Sequence, residues 1–199
     1  MGEIGRRVVH ASGVVAPALY VVGVLTWPQL QGLLVLGLAV VLGLETLRLR
    51  VGLDWWIYDR LTREYEADAV AGYVHYMVSI TGVALVFEPA IAVPAMLMLM
   101  IGDPVSGALG GGRLRRFKRP RAMGAMFLVS LIVALPFALT TFGATGPALV
   151  AASMGAALAM VADGVKLRLG SFVVDDNLTI PVAGACGLWI AYRVLPGVV

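Results

Sequence analysis

Charge is what this chain has least of. Only 14% of its 199 residues are charged and 60% are hydrophobic, whereas ordinary globular domains carry roughly 25% charged residues. Too little charge is present to coat a water-exposed surface, which excludes a soluble single-domain enzyme. The apolar bias likewise excludes a disordered chain. Cysteine is nearly absent: Cys186 stands alone, so the chain is not a disulfide-stapled secreted module. No cleavable signal peptide is evident, because the apolar stretch behind Arg6 and Arg7 runs on to Trp27 and further apolar stretches follow. Internal repeats and a soluble domain are also lacking. What is present is a mean hydropathy of +0.91, carried largely by Gly, Ala, Val, Leu and Met. This is the composition of a polytopic membrane protein, one membrane-embedded domain over residues 1–199.

A helix needs about 20 mostly apolar residues to cross a hydrocarbon core of about 30 Å. Seven stretches qualify, roughly 8–27, 30–47, 69–87, 89–109, 122–142, 146–163 and 178–195. The expected fold is therefore all-α, with about seven transmembrane helices. Small residues such as Gly37, Gly43, Gly155 and Ala156 suit close helix–helix approach in lipid. The mixed-charge stretch from Asp54 to Asp68, with Trp55, Trp56 and Tyr58, reads as one amphipathic helix lying at the interface. With the N-terminus on one side, fourteen of the fifteen Lys and Arg residues fall on that side or at its edge, leaving Arg193 across. The positive-inside rule makes that side the cytoplasm. The expected protein is multi-pass with a cytoplasmic N-terminus, in the cell membrane if the source is prokaryotic.

Four segments carry candidate chemistry. In Glu3-x-x-Arg6-Arg7-x-x-His10 the four-residue spacings let Glu3 meet Arg7, and Arg6 meet His10, along a helix; a snorkelling anchor is the plainer reading. In the fourth stretch, Asp103 lies inside an apolar segment, followed by Pro104 and then by Gly107, Gly110, Gly111 and Gly112. An ionisable group in a membrane span is a functional-site candidate by default, and the Gly-Pro richness predicts a broken helix. No Walker loop or G-x-G-x-x-G is present. Next come Arg113, Arg115, Arg116, Lys118, Arg119 and Arg121, either a topology signal or a set of phosphate partners. Last, Asp175, Asp176 and Asn177 stand at the start of the seventh stretch, and Asp163 adds a carboxylate near the same level. Capping accounts for one of the three residues at 175–177. Carboxylates, basic residues and glycines on one face fit Mg-nucleotide chemistry at a membrane surface. Elsewhere, Glu45 and Arg48 have the spacing of a structural ion pair, and His75 and Ser79 lie four apart inside the third stretch.

Glu3-x-x-Arg6-Arg7-x-x-His10, Gly102-Asp103-Pro-x-Ser-Gly-x-x-Gly110-Gly and Asp175-Asp176-Asn177-Leu-x-Ile-Pro181 occur in this order. Together they resemble the CTP-dependent lipid kinases: dolichol kinase, phytol kinase and the CTP-using diacylglycerol kinase. The likeness runs from Glu3 to Pro181, and the Asp-Asp-Asn element is its most specific part. The resemblance implies transfer of the γ-phosphoryl group of CTP to a membrane lipid alcohol of dolichol, polyprenol, phytol or geranylgeraniol type, leaving CDP. On that reading Asp103, Asp175 and Asp176 hold Mg²⁺. Arg6, Arg7, Gly107, Gly110, Gly111, Arg113, Arg115, Arg116, Lys118, Arg119, Arg121 and Asn177 bind the nucleotide, and Asp103 or His10 accepts the alcohol's proton. The expected partners are CTP, the lipid alcohol and the bilayer, not nucleic acid; a homo-oligomer is compatible. One departure stands out: the family's Lys-Ser/Thr-x-Glu-Gly reads Pro120-Arg-Ala-Met123-Gly124 here. A CTP-using cytidylyltransferase acting on a lipid phosphate is the alternative enzyme, and a small transporter the alternative outside enzymes.

Overall fold

The computed structural model describes residues 10–52, 55, 62, 69–110, 117–165, 168–169 and 172–196. Among them are seven helices: α1 (His10–Val21), α2 (Trp27–Val51), α3 (Gly72–Val86), α4 (Pro89–Gly110), α5 (Pro120–Phe142), α6 (Thr145–Gly164) and α7 (Asp176–Val194). Each overlaps one of the seven apolar stretches. Four of them, α2, α4, α5 and α6, are long and apolar enough to cross a membrane. A two-residue antiparallel ladder, Arg168–Leu169 with Phe172–Val173, precedes α7.

α4 is the central helix. In its most apolar stretch 61% of residues are buried inside the protein, against 17% for α2. It packs against α5, α7 and α3, while α6 lies against both α5 and α7. α2 leans on α3 and leaves Leu36 and Val40 exposed, a surface suited to lipid. Lipid tails are as apolar as leucine, so association between such helices rests on close packing rather than on escape from water. The α6–α7 crossing shows this. A Cβ on Gly187 would lie 2.8 Å from the Met154 carbonyl oxygen and 2.9 Å from Gly155 Cα, so only glycine lets the two backbones touch. Gly155 serves the same crossing, and Gly37 meets Met77, but no described residue packs on Gly43.

Two expectations change. The first apolar stretch does not run to Trp27. The helix stops at Val21, the chain turns through Gly23 with φ of +77°, and Trp27 opens α2. Thr26 supplies the boundary: its backbone N–H donates to Gln29 Oε1 at 2.8 Å, and Pro28 sits in the first turn, where its missing N–H costs nothing. The fourth stretch also stays continuous instead of breaking at Pro104. One wide π-helical turn, Met98–Gly102, precedes Asp103, and α-helix resumes through Gly110. Pro104 cannot donate to the carbonyl four residues back, and a local π adjustment is one way an apolar helix accommodates a proline. The expected interfacial helix at 54–68 lies outside the described residues except for Trp55 and Thr62.

Candidate metal centre

Three helices converge on one cluster of charge. Asp103 comes from α4 just past its π turn, Asp163 from the last turn of α6, and Asp176 from the first turn of α7. One carboxylate oxygen from each lies within 4.8 Å of the other two. Lys118 sits among them, its Nζ 2.5 Å from Asp163, 3.5 Å from Asp103 and 3.6 Å from Asp176. Among the described residues, three carboxylates therefore face one ammonium.

The backbone explains how each group is held. Asp176 stands at a helix N-terminus, where the helix dipole favours negative charge. Asp163 stands at a C-terminus, where the dipole opposes it, and its side chain is fully buried. Its compensation is local: Ser106 Oγ, three residues along α4 from Asp103, donates to Oδ2 at 2.6 Å, and Lys118 donates to Oδ1. Lys118 is fixed at its own backbone. Its N–H donates to the Gly164 carbonyl at 2.9 Å, and the neighbouring Phe117 forms a β-bridge with Val165. Burial alone would push the Lys118 ammonium below the usual lysine range; the charges of Asp103, Asp176 and Asp163, with the hydrogen bond to Asp163, outweigh it and hold it above. Asp103 is the most open carboxylate, 25% exposed against 9% for Asp176 and none for Asp163, so a soluble ligand meets it first.

Membership of this cluster differs from the sequence expectation. Asp175 is not brought into it. It caps α7, its Oδ1 accepting from the Asn177 N–H at 2.8 Å, and Asp163 takes the third place. Adjacent residues at a helix start point apart, so Asp175 and Asp176 cannot be read as a pair. Asn177 is a tie between helices: its amide Nδ2 donates to the Gly72 carbonyl at 3.3 Å, and its own carbonyl accepts from Ser79 Oγ at 2.6 Å. Lys118, expected on phosphate, is instead inside the acid cluster. Arg121 Nε donates to the Leu109 carbonyl at 3.0 Å and finishes α4, while Arg119 precedes the first turn of α5. Gly110 ends α4 with no described atom against it, and Gly107 lies three residues before it. His10 stacks edge-on against Tyr76 of α3, ring centroids 4.5 Å apart, and its carbonyl accepts from the Tyr76 hydroxyl at 3.3 Å. Met123, at the position where the resembling family carries Glu, packs over Gly164, next to Asp163. Arg6, Arg7, Gly111, Arg113, Arg115 and Arg116 lie outside the described residues.

A second charged cluster joins α2 to α3. Arg48 grips Glu45 through two bonds, Nε to Oε2 at 2.9 Å and Nη2 to Oε1 at 2.8 Å. Oε1 also accepts from the Ala71 N–H at 2.9 Å and Oε2 from the Tyr73 hydroxyl, while Arg48 reaches the Ala69 carbonyl at 2.6 Å. This is the structural pair that the spacing predicts.

No family model matches the chain, and neither a curated protein nor a solved structure does.

Proposed function

We propose that this protein is an integral-membrane phosphotransferase that moves the γ-phosphoryl group of CTP onto the hydroxyl of a membrane lipid alcohol, using Mg²⁺ held by Asp103, Asp163 and Asp176. The observation that carries the reading is the convergence of three carboxylates from three helices around the Lys118 ammonium. The donor set fits the metal: Mg²⁺ takes hard oxygen ligands and accepts few of them from protein, and the Lys118 ammonium already stands as a cation among these oxygens. When bound, Mg²⁺ would neutralise charge on the phosphates during transfer.

The protein's own residues do the rest. The three aspartates fix one point where α4, α6 and α7 meet, with Asp103 on the open side. Ser106 orients Asp163 through its hydrogen bond. Such positioning matters because phosphoryl transfer needs alignment and charge neutralisation more than covalent help. Arg6, Arg7, Arg113, Arg115, Arg116 and Arg119 are the proposed phosphate partners. The proton of the alcohol passes to Asp103 or His10 in this proposal. CTP as the donor, and a prenol-type alcohol as the acceptor, rest on the resemblance of the three motifs.

The proposed topology is seven spans, with the N-terminus and the acid cluster on the cytoplasmic side. In a Cys186→Ala background, Phe117→Cys should react with an impermeant thiol reagent from the cytoplasmic side and Ala144→Cys from the other; both positions are exposed. Reversed labelling contradicts this topology. The reaction itself is tested by incubating purified protein with γ-labelled CTP and a panel of lipid alcohols. Label in a lipid phosphate with CDP release supports the kinase. Pyrophosphate release from CTP and a lipid phosphate identifies a cytidylyltransferase instead.

A further inference from the structure

We propose that Lys118 is a resident cation of the acid cluster, one that gives up its place to the metal and turns to the nucleotide's phosphates, so that metal and nucleotide bind together rather than separately. This rests on the metal reading above and concerns what governs entry to that site.

Three observations lead to it. Lys118 Nζ lies within 3.6 Å of an oxygen from each of the three carboxylates, and those oxygens lie within 4.8 Å of one another. A divalent cation gathering the same oxygens would need the space that the ammonium fills, and two cations at such contact repel. Second, both Asp163 oxygens are already engaged, Oδ1 by Lys118 and Oδ2 by Ser106, so a metal taking Oδ1 has to replace the Lys118 contact. Third, the backbone of Lys118 is pinned by its bond to Gly164 and by the Phe117–Val165 bridge. The exchange therefore needs only side-chain rotation about a flexible four-carbon stem. Displaced into solvent, the ammonium would lose three anionic neighbours. Displaced onto a triphosphate, it keeps strong anionic partners. Nucleotide thus lowers the cost of admitting the metal, and by linkage the metal raises the affinity for nucleotide by the same factor.

The test is Mn²⁺ binding to purified protein without lipid acceptor, followed by electron paramagnetic resonance, with and without CTP. If Lys118 fills the cluster in about nine molecules of ten, the affinity for metal alone is reduced about tenfold. Wild type should therefore bind Mn²⁺ at least about tenfold more tightly with CTP than without. K118M should bind Mn²⁺ alone at least about tenfold more tightly than wild type, and CTP should change that affinity much less. K118Q, whose amide still donates to Asp163, serves if K118M does not fold. Wild-type affinity that is the same with and without CTP overturns the exchange. So does a Lys118 variant that binds Mn²⁺ no more tightly than wild type while Asp163→Asn abolishes binding; the cation site itself then stands. If neither wild type nor the variant binds Mn²⁺, with or without CTP, the metal reading fails and this inference fails with it.

Discussion

Among the described residues two clusters of buried charge stand out, and they are built on opposite terms. Glu45 and Arg48 balance one for one, and both Glu45 oxygens are fully partnered by the guanidinium, the Ala71 N–H and the Tyr73 hydroxyl. Where α4, α6 and α7 meet, three carboxylates share one ammonium among the described residues. Taking charge out of water is costly unless the geometry and the hydrogen bonds are complete. The first cluster meets that condition within the protein and needs nothing more. In the second, the described residues gather carboxylate oxygens from three helices around the Lys118 ammonium. Hard oxygen donors converging from separate helices point to a cation ligand, whereas a pair closed within neighbouring turns points to a fastening.

The comparison breaks most sharply under neutralisation. Asp103→Asn, Asp163→Asn and Asp176→Asn should each lower phosphoryl transfer at saturating CTP by at least about 10²-fold, the scale of losing one preorganised charge-stabilising group. Each preserves side-chain shape and removes one of three crowded negative charges, so thermal stability without metal should hold or rise. Equal rates in all three variants would remove the distinction between the clusters. Glu45→Gln should do the reverse. It takes the carboxylate from Arg48, whose side chain is only 9% exposed, and should destabilise the protein by about 3 kcal/mol, as when one charge of a buried pair is removed. Specific activity of the surviving folded protein should be unchanged; thermal unfolding in detergent and rate per folded molecule check the two halves.

The smallest effect separates neighbours. Asp175→Ala should cost about 1 kcal/mol, the usual loss of a helix cap, with little change in Mg²⁺ dependence, although its neighbour Asp176 is in the cluster. A Mg²⁺ titration of the rate, alongside a melting curve, distinguishes them. A loss of metal dependence in Asp175→Ala matching that in Asp176→Asn would show that the cap also serves the metal.

These contrasts also mark what the sequence can and cannot disclose. Runs of apolar residues locate all seven helices, because burial in lipid or protein demands such runs. Their ends are less visible: Trp27 is apolar enough to extend the first run, and only the Thr26–Gln29 bond and the turn at Gly23 reassign it to α2. Glu45 and Arg48 are legible as a pair because helix geometry alone brings residues three apart together. The acid cluster is legible as a level, not as a membership list. Asp163 is 60 residues from Asp103 in the sequence and meets it only through the packing of α4 and α6 against α5, while Asp175, next to Asp176, turns back onto its own helix. Lys118 reads as one more cation in a basic run. Its distinction comes from the pairing of residues 117–118 with the end of α6, which no local pattern announces.

The most direct test of the central claim is to count the metal. With CTP present, Mn²⁺ titrated into purified protein and followed by electron paramagnetic resonance should bind at one site per chain in wild type and in Glu45→Gln, and that site should be lost or weakened at least about tenfold in Asp163→Asn, where one hard ligand has been removed. Unchanged Mn²⁺ binding in Asp163→Asn, or binding lost in Glu45→Gln instead, would contradict the assignment of the three-aspartate cluster as the metal centre.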